Sequence, residues 1–205
     1  MKTTLKNRYL LMRHGKSRSN AESKIISLPS TGIHGYGLTD EGRRQVLHSI
    51  DSCGEIARVD IIYTSDFLRA RQTAEIVAAA AARSYMITTP LLRERFFGDF
   101  EGTAHANYEK IWDLDCREED TSCFNVEPLW QLRDRTFQLL RGCEKRYTGK
   151  NILFVSHGDT LQVLYATAIG YAVSRFRDPE EFSNAEIRVL PEEIDVAGIE
   201  EDGGE

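Results

Sequence analysis

The chain has 205 residues, 41% of them hydrophobic and 28% charged, with a formal net charge of −6. That length suits one α/β domain with a sizeable core, and the charge has the wrong sign for nucleic acid, whose binding needs a broad basic surface. No segment approaches the roughly 18 consecutive apolar residues of a membrane span, and the apolar run before Arg13 is too short for a signal-peptide core. The four cysteines, Cys53, Cys116, Cys123 and Cys143, form no C-x-x-C pair and no zinc-like spacing with histidine, which points to a reduced, cytoplasmic chain without a metal. Basic residues gather instead in one short stretch, Arg13, Lys16 and Arg18. Such a focus on an acidic protein suits a small anionic ligand better than a polymer.

In chain order, residues 9–12 read as a short buried strand, followed by an irregular polar loop over 20–37 that holds Pro29, Gly32, Gly35 and Gly37. Loops of that length are usually functional. A helix is expected from Thr39, with Asp40 and Glu41 favourably placed in its first turn and Val46, Leu47 and Ile50 at helical spacing. Residues 59–63 predict a second strand, and Ser65 or Asp66 is suited to cap the helix that follows. Residues 86–88 suggest a third strand, 126–147 a long amphipathic helix, and 151–155 a strand buried on both faces. A mostly buried helix follows over 158–169, then an edge strand over 185–190 and an acidic, disordered tail over 199–205. The expected organisation is one domain over 1–198. Strands alternating with helices imply a mainly parallel sheet with helices on both faces.

Ligands in such folds bind beyond the carboxyl ends of the strands. Two strand ends carry the same signal: the first runs into Arg13-His14-Gly15 and the fourth into Ser156-His157-Gly158. If these strands are parallel neighbours, both imidazoles emerge at one edge. A histidine there can offer one ring nitrogen to phosphorus while a backbone carbonyl holds the other. Attack needs the neutral ring, which nearby Arg13, Arg69 and a protonated His157 favour. Arg69 falls in the first turn of its helix, where the dipole disfavours a cation. It reads either as a solvated side chain pairing with Glu75 or as part of an anion site. Glu94 reads either as a surface carboxylate paired with Arg93 or Arg95 or as the proton donor for a leaving oxygen. His34 and His48 are expected in solvent, and Phe96, Phe97 and Phe100 in the core. Trp112 and Trp130 are expected in helix packing, with His105 a candidate for the pocket wall.

These residues resemble a known family. Residues 11–15, Leu-Met-Arg-His-Gly, with Ser17 and Asn20 after them, are similar to the R-H-G signature of the histidine phosphatase superfamily, also called the phosphoglycerate mutase-like family. Residues 63–74 resemble its second arginine motif, Leu92-Arg93-Glu94 with residues 98–102 its acid segment, and residues 155–160 its second histidine motif. The resemblance spans roughly residues 8–170. It implies a three-layer α/β sandwich with a mixed, mainly parallel sheet, and a reaction needing neither metal nor organic cofactor. Carried over, His14 is the phosphohistidine, and Arg13, Arg69 and His157 hold the phosphoryl oxygens. Asn20 adds to that pocket, and Glu94 gives and then takes a proton.

The segment over 97–102 looks more like the phosphatase branch, which includes alpha-ribazole phosphatase and broad-specificity phosphatases. Only about sixty residues separate Glu94 from His157, with no adjacent arginine pair among them, whereas the family's cofactor-dependent mutases carry a longer insertion with such a pair. Lys16 departs from the acidic residue common there in mutases. The resemblance therefore implies a histidine acid phosphatase-type phosphomonoesterase acting on a small phosphorylated metabolite. A mutase and an inactive phosphate-binding module are its rivals.

Overall fold

The computed structural model describes residues 2–81 and 83–195. Five strands form the main sheet: β2 (Arg8–Arg13), β3 (Ile61–Ser65), β4 (Tyr85–Thr89), β5 (Asn151–Ser156) and β6 (Ile187–Val189), in the order β4-β3-β5-β2-β6. All pairings are parallel except β6 with β2, which is antiparallel. A separate ribbon pairs β1 (Lys2–Thr4) with β7 (Glu193–Asp195).

The apolar runs of β2 and β5 follow from burial on both faces. Side chains alternate, so Leu10, Met12, Leu153 and Val155 face one way, toward Val46 of α3 (Asp40–Ser52) and Ala70, Ala74 and Val77 of α4 (Leu68–Ala80). Tyr9, Leu11, Ile152 and Phe154 face the other way, toward Phe137 and Leu140 of α6 (Leu129–Arg146) and Leu161 and Leu164 of α7 (Gly158–Ala168). The result is a three-layer sandwich. Among the described residues, no helix is long and apolar enough to cross a membrane.

This arrangement creates the crevice. β2 and β5 are neighbours with Arg13 opposite Ser156, and the His14 N–H donates to the Ser156 carbonyl at 3.0 Å. Beyond that point the chain from β2 turns to α3 on one face, while β5 runs directly into α7 on the other. Adjacent strands whose connections part to opposite faces leave an opening at their carboxyl ends.

Several expectations need correction. The loop over 20–37 follows a short helix, α1 (Arg18–Ala21), whose cap is a reciprocal pair of bonds between Ser17 and Asn20, and it contains another, α2 (Pro29–Gly32). A helix that periodicity did not flag, α5 (Asn107–Cys116), occupies the mixed region before α6. The α6 helix starts at Leu129, after an extended Pro128, not at 126. Neither Ser65 nor Asp66 caps α4: its N-cap is Phe67, which has no side-chain cap bond. Leu47 is 52% exposed and Trp130 57% exposed, because Val46 and Leu132 already take the inward positions beside them. The expected tail over 199–205 lies outside the described residues.

Two glycines bring α3 against the loop after His14. A Cβ on Gly15 would meet the Gly42 carbonyl and the Val46 side chain, and one on Gly42 would collide with the backbone of Lys16. In an ordinary helix, Ala is favoured over Gly by about 1 kcal/mol. Gly42→Ala is expected to reverse that sign and destabilise the protein by about 1–3 kcal/mol through overpacking. Urea unfolding measures it, and a stabilised variant would show that the two backbones part easily.

Candidate active site

His14 leaves the end of β2 almost wholly buried, at 3% exposure. Its Nδ1 lies 2.8 Å from the Gly15 carbonyl oxygen, and its Nε2 lies 3.0 Å from Nε of Arg69. A carbonyl can only accept and a guanidinium can only donate. Nδ1 therefore carries the hydrogen, and Nε2 presents its lone pair beside Arg69. The ring is held neutral as well: burial first, then Arg69 and Arg13, push its pKa well below the ordinary 6.5.

Arg69 is 3% exposed and does not pair with Glu75. It sits in the first turn of α4, where no acidic residue stands. Its Nη2 donates to the Ile26 carbonyl at 2.9 Å. Arg13 donates from Nη1 to the Phe182 carbonyl at 2.5 Å. His157 lies 5.1 Å from His14, ring centre to ring centre, with Nε2 2.9 Å from the Ser65 hydroxyl. That hydroxyl also accepts the Phe67 N–H; when it gives its own hydrogen to His157 Nε2, the ring hydrogen sits on Nδ1, which is left as a donor. Burial, then Arg69 and His14, hold His157 neutral too.

Three buried nitrogens in this cluster have no hydrogen-bond partner among the described residues: Arg13 Nε, Arg69 Nη1 and His157 Nδ1. Leaving a buried donor unpaired costs about 1–3 kcal/mol. Three such donors around one histidine suit an anion that supplies several acceptor oxygens. The N-terminus of α7 opens at the same place, and His157, its N-cap, makes no side-chain cap bond.

A cavity of about 510 Å³ connects these groups to solvent, lined by Arg13, His14, Arg69, Asn20, Glu94 and Asp159 among others. Glu94 pairs with neither Arg93 nor Arg95 through charge: Arg93 is bound to Asp66 and Arg95 to Asp115. Its Oε1 accepts from the Arg95 N–H at 3.0 Å, the Thr160 hydroxyl at 3.2 Å and the Thr160 N–H at 3.4 Å. Among the described residues all its bonds fall on Oε1, which leaves Oε2 to carry or receive a proton. Asn20 lines the cavity with its carbonyl oxygen committed to the Ser17 N–H and hydroxyl. Lys16 also lines it but is paired with Glu41 at 2.7 Å, so its charge is partly spent.

Of the remaining candidates, His105 reaches the cavity wall, tied to the Lys24 carbonyl at 2.9 Å. His34 and His48 are exposed away from it, and Phe97 is core. Trp112 packs against the core between α6 and α7, as expected, and also lines the cavity with Tyr108, Asp159 and Arg177. Tyr108 and Trp112 stack one helical turn apart at 5.1 Å, and Arg177 lies 3.4 Å above the Trp112 ring. The spacing of four between two aromatics was the available signal; nothing local marked Arg177, which arrives from beyond α7. Among the described residues, no group of three or more His, Cys, Asp or Glu side chains is arranged to hold a metal ion.

Residues 9–197 match the sequence profile of the histidine phosphatase superfamily (branch 1). The chain is 34% identical over 178 residues to "Probable phosphoglycerate mutase GpmB" of Klebsiella pneumoniae (strain 342), covering 82% of this chain and 78% of that one. It is 26% identical over 162 residues to "Metal-independent phosphoserine phosphatase" of Arabidopsis thaliana, covering 76% and 66%. The solved structure of a mycobacterial glucosyl-3-phosphoglycerate phosphatase superposes with a TM-score of 0.74 at 21% identity, covering 89% and 91%.

The two buried histidines tie stability to pH. Their folded pKa values lie below 6.5, so the unfolded chain binds protons first as pH falls. Their stabilising contribution is complete above about pH 6.5 and is lost below it, at up to about 1.4 kcal/mol per pH unit for each ring. Urea unfolding at pH 7, 6 and 5 is expected to show this fall. A His14→Gln/His157→Gln protein should lack that component, and an unchanged slope in it would refute the assignment.

Proposed function

Within the histidine phosphatase superfamily, to which this chain belongs, we propose that it is a phosphatase that hydrolyses a small phosphomonoester through a phosphohistidine on His14. The observation that carries the reading is the paired restraint on His14. Gly15 and Arg69 fix the tautomer so that the lone pair sits on the nitrogen beside the unpaired arginine donors.

In the first step the Nε2 of His14 bonds to phosphorus as the ester oxygen departs, and Glu94 gives that oxygen its proton. Arg13, Arg69 and His157 take the phosphoryl oxygens, with Asn20 at the side. Phosphoryl transfer draws most of its acceleration from such positioning and charge stabilisation. In the second step Glu94, now ionised, takes a proton from water; the water oxygen bonds to phosphorus, the P–N bond breaks and phosphate leaves. No step calls on a metal or organic cofactor.

The curated relatives include one named as a mutase and one as a phosphatase. The short path from Glu94 to His157, without an adjacent arginine pair, supports the phosphatase. Acid quench with labelled substrate is expected to trap phosphate on His14, and His14→Ala to lose turnover altogether; an active variant would sink the proposal. Glu94→Gln is expected to slow alkyl phosphates about 10²–10⁴-fold and aryl phosphates, whose leaving groups need less protonation, far less. Release of an isomeric phosphate ester in place of inorganic phosphate would identify the mutase, and phosphate binding without turnover the inactive module.

A further inference from the structure

Asp159 is a cavity residue with no part in the steps above. It stands in the first turn of α7, is 5% exposed, and lines the same space as His14 and Glu94. Its Oδ2 accepts the Trp112 Nε1–H at 3.0 Å. Among the described residues no donor is hydrogen-bonded to Oδ1; Arg177 Nη1 stands off at 4.0 Å.

Both neighbouring guanidiniums stand at ion-pair distance from Asp159, but neither is hydrogen-bonded to it and each is committed elsewhere. Arg95 comes within 3.9 Å of Oδ2, but its fork closes on Asp115 at 2.5 and 2.9 Å and its Nε on the Glu127 carbonyl. Arg177 is ion-paired with Glu181 and lies flat on Trp112. Glu94 adds a second carboxyl to the same cavity, Tyr108 and Glu109 face it from α5, and Arg13 and His14 lie at the β2 end, with His157 two residues before it. Burial and a second carboxyl nearby favour the neutral form of a carboxyl, against the pull of guanidiniums held 3.9 and 4.0 Å away. Burial first and Glu94 second push Asp159 up to about 7.

We propose that Asp159 is a substrate-binding residue whose neutral carboxyl donates its Oδ1 hydrogen to an oxygen of the bound phosphomonoester. Its ionised form repels that ligand. The inference rests on the phosphate site proposed above. It adds a donor that works only while protonated, so ligand binding above neutrality must draw a proton onto Asp159.

The test reads binding, not turnover, with inorganic phosphate as the probe. Titration calorimetry in two buffers of different ionisation heat counts the protons taken up, at pH 5.5 and pH 8, for the natural protein and for Asp159→Asn. The ionisation of phosphate itself is common to both and cancels. At pH 8 the natural protein is expected to take up about one proton more than the variant, and at pH 5.5 the same number. Its Kd should weaken about fivefold relative to the variant's between pH 7 and pH 8. Equal uptake at pH 8 overturns the proposal. Trp112→Phe removes the N–H donor to Oδ2 and should move the onset of uptake to higher pH. An unmoved onset counts against the role even if Asp159→Asn does not fold. Phosphate bound with the expected uptake but no ester hydrolysed would discard the phosphatase reading and leave this one standing.

Discussion

Arg13 and Ser156 stand opposite each other at the ends of two parallel strands, and the site depends on that register. Side chains alternate along a strand, so a slip of one residue would move every core residue of β2 into the opposite layer. The alternation is therefore enforced from both sides: Leu10 and Met12 belong to one apolar layer, Tyr9 and Leu11 to the other. With the register locked by the core, His14 and His157 have no choice but to emerge together. The bond from the His14 N–H to the Ser156 carbonyl extends the pairing one residue into the site. The chemistry thus inherits its precision from hydrophobic packing several residues away.

The second constraint is electrostatic. The fold buries Arg69, Arg95, His14, His157 and Asp159 within one region, and ionised groups taken from water are costly unless paired. Two solutions are visible. Arg95 is satisfied internally by both oxygens of Asp115 and by a backbone carbonyl, which makes it structural and anchors α5. Arg69 and Arg13 are satisfied only in part: among the described residues Arg13 Nε and Arg69 Nη1 have no hydrogen-bond partner. The histidines meet the same pressure by staying neutral. A region rich in cationic side chains therefore holds a neutral imidazole whose Nε2 lone pair faces Arg69, and the positive charge that disfavours protonating His14 also suits an anion.

Much of this was legible in the sequence because it is local. The strand exits announce themselves within a few residues; Arg69, in the first turn of its helix, and Glu94 each allowed a surface reading until the motifs were taken together. A mainly parallel sheet with helices on both faces followed from apolar runs alternating with helical patterns, while the strand order did not. What was not legible comes from chain segments far apart. The α5 helix has no strong apolar stripe, because its inward side chains include Asp115, Tyr108 and Trp112, which are polar or wall the cavity. Arg177 joins that wall from well beyond α7, and Asp159 acquires its character through burial first and Glu94 second. Leu47 and Trp130 misled for the converse reason: an apolar residue on a helix is buried only if its angle meets a partner, and theirs do not.

The close seating of Gly15 on Gly42 separates the molecule into two kinds of material. On one side, nucleophile, sheet and α3 form a block with no slack, in which the backbone itself is the bearing surface. On the other, α5 and the strip around Arg177 form a cover in which Arg177 lies over Trp112, held to the rest by the Arg95–Asp115 ion pair and by the buried packing of Ile111 and Phe176. Such a body can exchange its cover, and with it the alcohol it accepts, without disturbing the machinery beneath. Diversity of substrates on one unchanging reaction is the natural outcome of that construction.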